Sequence, residues 1–114
     1  MHLIPDGTVT TPTGFMSGAA SCGIKDGKAL DLMVLHSSHN CTSAGMFTTN
    51  QVVAAAVVCN RHTLASNDTS IRAVVVNSGI ANACTGELGL RNAREIQVIA
   101  GGLLDCTPDQ VLAL

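Results

Sequence analysis

The residue types best suited to chemistry gather in one stretch, Asn77-Ser78-Gly79-Ile80-Ala81-Asn82-Ala83-Cys84-Thr85-Gly86-Glu87. Amides, hydroxyls and backbone donors at this density suit hydrogen bonding to a small polar ligand. Asn77, Ser78, Gly79 and Asn82 are the candidate substrate-binding or supporting residues. Asn77, Ser78 and Gly79 also satisfy backbone groups locally and tolerate positive φ, so they make a tight loop. Thr85 stands where a side chain accepts from the first free N–H groups of a helix, and Glu87 where the helix dipole favours a carboxylate. The spacing is neither the phosphate-loop nor the dinucleotide-binding signature. A strand-to-helix connection that binds nothing fits the same residues.

Two other groupings invite a chemical reading. Cys84 with one of the histidines would make a nucleophile and base. No basic residue neighbours Cys84 in sequence, so it reads as a packed thiol at a loop–helix junction. No serine sits in a nucleophile elbow. His36, His39 and Cys41 fall within six residues. A closed zinc site needs four ligands and no second cluster supplies the rest, so His36–Cys41 reads as a solvated polar turn and no metal is expected. The five cysteines are an odd number without a CxxC pair, which reads as free, mostly buried thiols.

These residues need elements to hold them. Ile71 to Val76 is β-branched and apolar apart from Arg72, the pattern of a strand covered on both faces. A helix from about Glu87 to Leu104 follows, with Ala93, Ile96, Ile99, Ala100 and Leu103 as its buried stripe. The pairs Glu87–Arg91 and Arg91–Glu95 lie four apart on its solvated face, and Gly101-Gly102 should weaken its last turn. Upstream, residues 1–13 are Thr- and Pro-rich and read as an irregular lead-in. A strand is expected through Gly18–Ile24, then an Asp26-Gly27 hairpin turn. A second strand, Leu30–His36, would put Leu30, Leu32, Val34 and His36 on one face and Asp31, Met33 and Leu35 on the other. Thr42–Thr48 reads as a third strand, with Gly45 at a bulge or close approach. Val52–Cys59 reads as the most apolar strand, Asn60–Leu64 as a helical turn, and residues 65–70 as a surface loop. Thr107-Pro108-Asp109-Gln110 is a helix start with Thr as cap, Pro first and Gln at the reciprocal position.

Composition sets the outer limits. With 114 residues, one domain is expected, spanning residues 1–114. The apolar fraction is 46% and mean hydropathy is +0.36, with aromatics at 2%, so the core is built from Val, Ala, Leu, Ile and Met. Charged residues make up 12%, about half the usual share, which implies a surface largely covered by another chain or by further sequence. The apolar ending Val111-Leu112-Ala113-Leu114 points the same way, to an incomplete domain. A net charge of -2 with scattered basic residues argues against nucleic acid. The longest apolar run is far short of a membrane span, and Met1 to Asp6 lacks the basic start of a secretion signal, so a cytoplasmic chain is expected.

Several strings occur in a telling order and spacing. They are Gly14-Phe15, Gly23-Ile24-Lys25, Asp31-Leu32, Ala44-Gly45-Met46-Phe47-Thr48-Thr49-Asn50 and Val76-Asn77-Ser78-Gly79-Ile80-Ala81-Asn82-Ala83-Cys84-Thr85-Gly86-Glu87. From about Thr11 to Leu114 the chain resembles the N-terminal part of the α chain in the ornithine acetyltransferase, or ArgJ, family. It departs at Ile80, where the family usually has Asn, and at Ala56, where it usually has Pro. The resemblance implies an α+β fold, a layered α-β-β-α sandwich of the DmpA/ArgJ type, of which this chain is one piece. It implies acetyl transfer from N-acetylornithine to glutamate through an acetyl-threonine, by a precursor that cleaves itself into α and β chains. It further implies an α2β2 heterotetramer, no cofactor, and acetyl-CoA as a second acetyl donor in many members. The threonine nucleophile and the Thr-Gly oxyanion hole match no position here, so no catalytic residue is expected in this chain and it should be inactive alone. A non-catalytic small-molecule-binding or interaction module and a related Ntn-type aminopeptidase fragment are the alternatives.

Overall fold

The computed structural model describes residues 3–114, so Met1 and His2 of the expected lead-in lie outside the described residues. The elements in order are β1 (Phe15–Ala20), β2 (Leu32–Cys41), α1 (Ala55–Ser66), β3 (Ile71–Asn77), α2 (Gly86–Leu103), a short 3-10 turn (Pro108–Gln110) and β4 (Val111–Ala113). The strands form one sheet in the order β1-β2-β3-β4. β1 and β3 run antiparallel to β2, while β4 runs parallel to β3. A parallel neighbour requires a crossover, and α2 makes it. The architecture is α+β, with one sheet and two helices, which is one β layer and one α layer of the expected sandwich.

Alternation along β3 explains how the layers meet. Ile71, Ala73 and Val75 are buried and their neighbours are half-buried. Ala73, Val75, Val111 and Ala100 of α2 form the core, with Leu32, Val34, Leu104 and Cys106 packed against it. The opposite face pairs Met33 with Val76 and Leu35 with Val74 across β2 and β3. These four are half-buried, so that face is apolar without being closed.

The β3–loop–α2 unit stands where the sequence puts it, but several other elements do not. Residues 52–59, read as a strand, give way to α1, which buries Ala55, Asn60 and Thr63. A short apolar run has no period that separates strand from helix. Here alanine's helix propensity and buried partners for Asn60 and Thr63 decide for the helix, and the helical turn at Asn60–Leu64 is part of it. His36–Cys41 is no solvated turn but the second half of β2, bent by a register irregularity between His36 and Cys41. Ser37 is buried there opposite Phe15. β1 begins earlier than expected and ends at Ala20, and Asp26-Gly27 lies within a long connection over residues 21–31. Residues 42–48 form no strand, though Gly45 is a close approach: a Cβ there would sit 2.8 Å from Leu64 Cδ1.

α2 is correct in extent and its expected buried stripe holds at Ala93 and Ala100 only. Its buried residues are Gly89, Ala93, Gln97, Ala100 and Gly101, whereas Ile96, Ile99 and Leu103 are exposed. Small residues win the inner face because α2 lies close on α1: a Cβ on Gly89 would come 3.4 Å from the Ala55 Cβ. Among the described residues the one ion pair is Arg94–Asp109 at 3.1 Å, not the pairs along Glu87, Arg91 and Glu95. All five cysteines are free, but none is fully buried. The capping residues at Thr107 work as expected, since Gln110 Oε1 accepts from the Thr107 N–H at 3.0 Å. The turn they start is one short 3-10 segment that hands over to β4, with Val111 and Ala113 buried beside β3 and the helices.

Candidate functional site

β3 and β4 run parallel, and a cavity of about 370 Å³ opens where both end. Ligand sites in α/β arrangements favour the carboxyl ends of parallel strands, where loops and helix starts converge. Asn77, Asn82, Thr85 and Asn92 supply the polar lining, with Ala113 and Leu114 of the β4 segment beneath. The first residues of α1, Ala55 and Ala56, form one wall. Among the described residues no charged side chain lines the cavity.

The four candidate residues divide in two. Asn77 ends β3, where its backbone N–H donates to the Leu114 carbonyl at 3.0 Å. That bond fixes the root of its side chain. Asn82 has φ 52, a left-handed conformation asparagine tolerates better than most residues. Its Nδ2 donates to Asn77 Oδ1 at 2.7 Å, so the two amides face the cavity as a linked pair. Ser78 and Gly79 are exposed and do not line it. Ser78 N–H donates to the Asp31 carbonyl at 2.9 Å. Gly79 has φ 101, and a Cβ there would sit 2.7 Å from Lys25 Cγ, so glycine lets residues 24–25 close over the loop.

Thr85 does precede α2, but its hydroxyl does not cap the helix. Its backbone is already helical, at φ -94 and ψ 0, and its Oγ1 donates to the Asn82 carbonyl at 3.5 Å. Capping needs an extended backbone at that position. The side chain instead lies over Gly89, where a Cβ would fall 1.7 Å from Thr85 Oγ1. Cys84 is exposed at φ 56, and neither it nor His36, His39 or His62 lines the cavity. His36 Nε2 faces Arg72 Nη2 at 3.3 Å and His39 Nδ1 faces Ser38 Oγ at 2.9 Å.

One residue that organises the site was read as a member of a strand face and of a family string, not as a site residue. Asp31 is 2% exposed. Its carboxylate accepts N–H groups from Cys22 at 2.6 Å, Ile24 at 2.7 Å and Lys25 at 3.0 Å. These donors hold its pKa below the ordinary carboxyl value, the Cys22 N–H most strongly, against the opposing effect of desolvation. Cys22 and Ile24 wall the cavity, so Asp31 ties that wall to the Asn77–Asn82 loop through its own carbonyl. The hint in sequence was an acidic residue between a glycine-containing loop and an apolar strand. The arrangement can orient a small neutral or polar group by hydrogen bonds. Among the described residues no histidine or carboxylate side chain lines the cavity, and its one thiol is that of Cys22.

The ArgJ family sequence profile matches residues 16–114. The chain is 46% identical to the arginine biosynthesis bifunctional protein ArgJ of Dehalococcoides mccartyi, over 98% of this chain and 28% of that protein. It is 49% identical to the protein of the same name in Thermotoga neapolitana, over 75% of this chain and 21% of that one. The crystal structure of ArgJ from Bacillus halodurans superposes with a TM-score of 0.88 at 32% identity, covering 94% of this chain and 55% of the other. The ornithine acetyltransferase of Mycobacterium tuberculosis, solved with ornithine, superposes at 0.83 with 36% identity, covering 92% and 56%. This chain therefore spans about a quarter of the curated relatives' length. Sequence strings, profile and superposed fold agree over nearly the same residues, and the chain belongs to the ArgJ family.

Proposed function

We propose that this chain is a segment of a glutamate N-acetyltransferase that moves acetyl from N-acetylornithine to glutamate in arginine biosynthesis. The observation that carries the reading is the 46% identity to a bifunctional ArgJ protein over 98% of the chain. The ornithine bound in the Mycobacterium tuberculosis relative is the amine that such a reaction releases. In the reaction a threonine hydroxyl outside residues 1–114 attacks the acetyl carbonyl and releases the amine of ornithine. The amine of glutamate then takes the acetyl group from the ester and restores the hydroxyl. This chain's part is structural: it holds an uncharged cavity, with the Asn77–Asn82 amide pair available to neutral groups of a substrate or to neighbouring backbone. The remaining α-chain sequence and a β chain, as α2β2, are the expected partners, and acetyl-CoA is a possible second donor.

The test uses the longest native form of the protein. Intact mass and a denaturing gel should show a species several times longer than 114 residues, or fragments of it with one beginning at threonine. Purified protein should form N-acetylglutamate and ornithine from N-acetylornithine and glutamate, with ping-pong kinetics. Full-length protein that folds and transfers no acetyl group to glutamate overturns the reading.

A further inference from the structure

The outer edge of β4 is closed by side chains rather than by a strand. Asn60, 3% exposed on α1, donates from Nδ2 to the Ala113 carbonyl at 2.7 Å and accepts the Ala113 N–H on Oδ1 at 3.0 Å. One amide thus imitates the pairing of a neighbouring strand. On the inner edge, Leu114 N–H donates to the Val75 carbonyl at 2.8 Å, and the Leu114 carbonyl accepts from Asn77 at 3.0 Å. Ala113 and Leu114 line the cavity, and Asn77 is bonded in turn to Asn82. A buried amide costs free energy unless both its ends are satisfied, whereas an aliphatic residue would pack without that condition. An amide placed here sets position as well as filling space.

We infer that Asn60 is a positioning residue for the cavity: it locks the first wall, α1, to the Ala113–Leu114 floor and through it fixes the Asn77–Asn82 amide pair. The activity arm of the test rests on the acetyltransferase reading, and the exchange arm does not. Thr63 is the internal control. It is fully buried three residues along the same helix, and its hydroxyl accepts from Gln97 Nε2 at 3.1 Å, with no bond to β4.

Full-length protein is compared as wild type, Asn60→Leu, Asn60→Asp and Thr63→Val. Asn60→Leu removes both bonds at similar volume. Asn60→Asp keeps the acceptor and regains a donor only when protonated, so it serves if Asn60→Leu does not fold. Hydrogen exchange should quicken at residues 77–82 in each folded Asn60 variant and stay at the wild-type rate there in Thr63→Val. In acetyl transfer, kcat should fall on the order of ten- to hundredfold with KM within about threefold, as for a misplaced but intact site. The Asn60→Asp deficit relative to wild type should shrink as pH falls. Unchanged exchange at residues 77–82, or a loss shared equally by Thr63→Val, overturns the inference. Wild type without acetyl transfer overturns the acetyltransferase reading, and the exchange comparison then decides the role of Asn60 by itself.

Discussion

Gly101 and Gly102 stand side by side in the last turn of α2, and their surroundings separate them. Replacing glycine by alanine inside a helix ordinarily gains about 0.8–1 kcal/mol. At Gly102 a Cβ would meet nothing within 4 Å, so Gly102→Ala should keep most of that gain. At Gly101 a Cβ would sit 2.8 Å from the Cys106 carbonyl oxygen and 3.2 Å from the Pro108 nitrogen. Both are backbone atoms of the segment leading into β4, and they have no rotamer to move. Overpacking of this kind costs about 1–3 kcal/mol, which meets or exceeds the propensity gain. Gly101→Ala should therefore lie about 1–3 kcal/mol below Gly102→Ala, roughly five- to 150-fold in local opening. The assay is hydrogen exchange at Leu104 and Cys106, whose amides donate to Ala100 at 3.0 Å and Gly101 at 2.9 Å. Slower exchange in Gly102→Ala and faster exchange in Gly101→Ala is the expected pair. Equal shifts in one direction would refute the packing argument, because propensity alone treats the two positions alike.

Three further outcomes follow, two from the site and one from the cysteines. Asp31→Asn should release the amides of Cys22, Ile24 and Lys25 to exchange at neutral pH. In the wild type the backbone donors, Cys22 N–H foremost, hold the folded Asp31 carboxyl below its ordinary value, so its stabilisation is complete above the unfolded value and is lost as pH falls through the folded one. Protection of those amides should thus hold at about pH 5 and drop only below the ordinary carboxyl range. Asn82→Gly should keep the loop, while Asn82→Val, β-branched at φ 52, should be less stable by about 1–2 kcal/mol in thermal unfolding. Burial pushes the Cys59 and Cys106 thiols up, so alkylation near neutral pH, read by peptide mass, should reach exposed Cys22 and Cys84 first.

What could be read from the sequence was what local chemistry decides. The β-branched run before Asn77 and the small polar residues after it announce a strand and a loop without reference to the rest of the chain. α1 was hidden because residues 52–59 are uniformly apolar. Its helical period emerges only at Asn60 and Thr63, whose reasons for burial are distant in sequence: Ala113 of β4 for Asn60 and Gln97 of α2 for Thr63. The inner face of α2 was misread for a related reason. Large apolar residues mark a buried stripe in an ordinary amphipathic helix, but a close helix–helix approach adds Gly89 to the expected Ala93 and turns Ile99 and Leu103 outward. Within the site, Asn77 and Asn82 were visible as amides in a turn. Asp31 was not, because its partners are backbone N–H groups, which every residue but proline carries.

The side-chain closure of β4 also gives the sheet a direction of growth. A strand edge with open N–H and C=O groups is a template for another chain, whereas one whose groups are spent cannot recruit. Val111 gives its carbonyl to Gln97 at 2.7 Å, and Ala113 gives both of its groups to Asn60. The opposite edge, β1, is uncharged and exposed along Met16–Ala20 and is paired on its β2 side. Among the described residues β1 is therefore the sheet edge open to a further strand. Solubility work on a shortened form of the protein should accordingly place its charges on that strand.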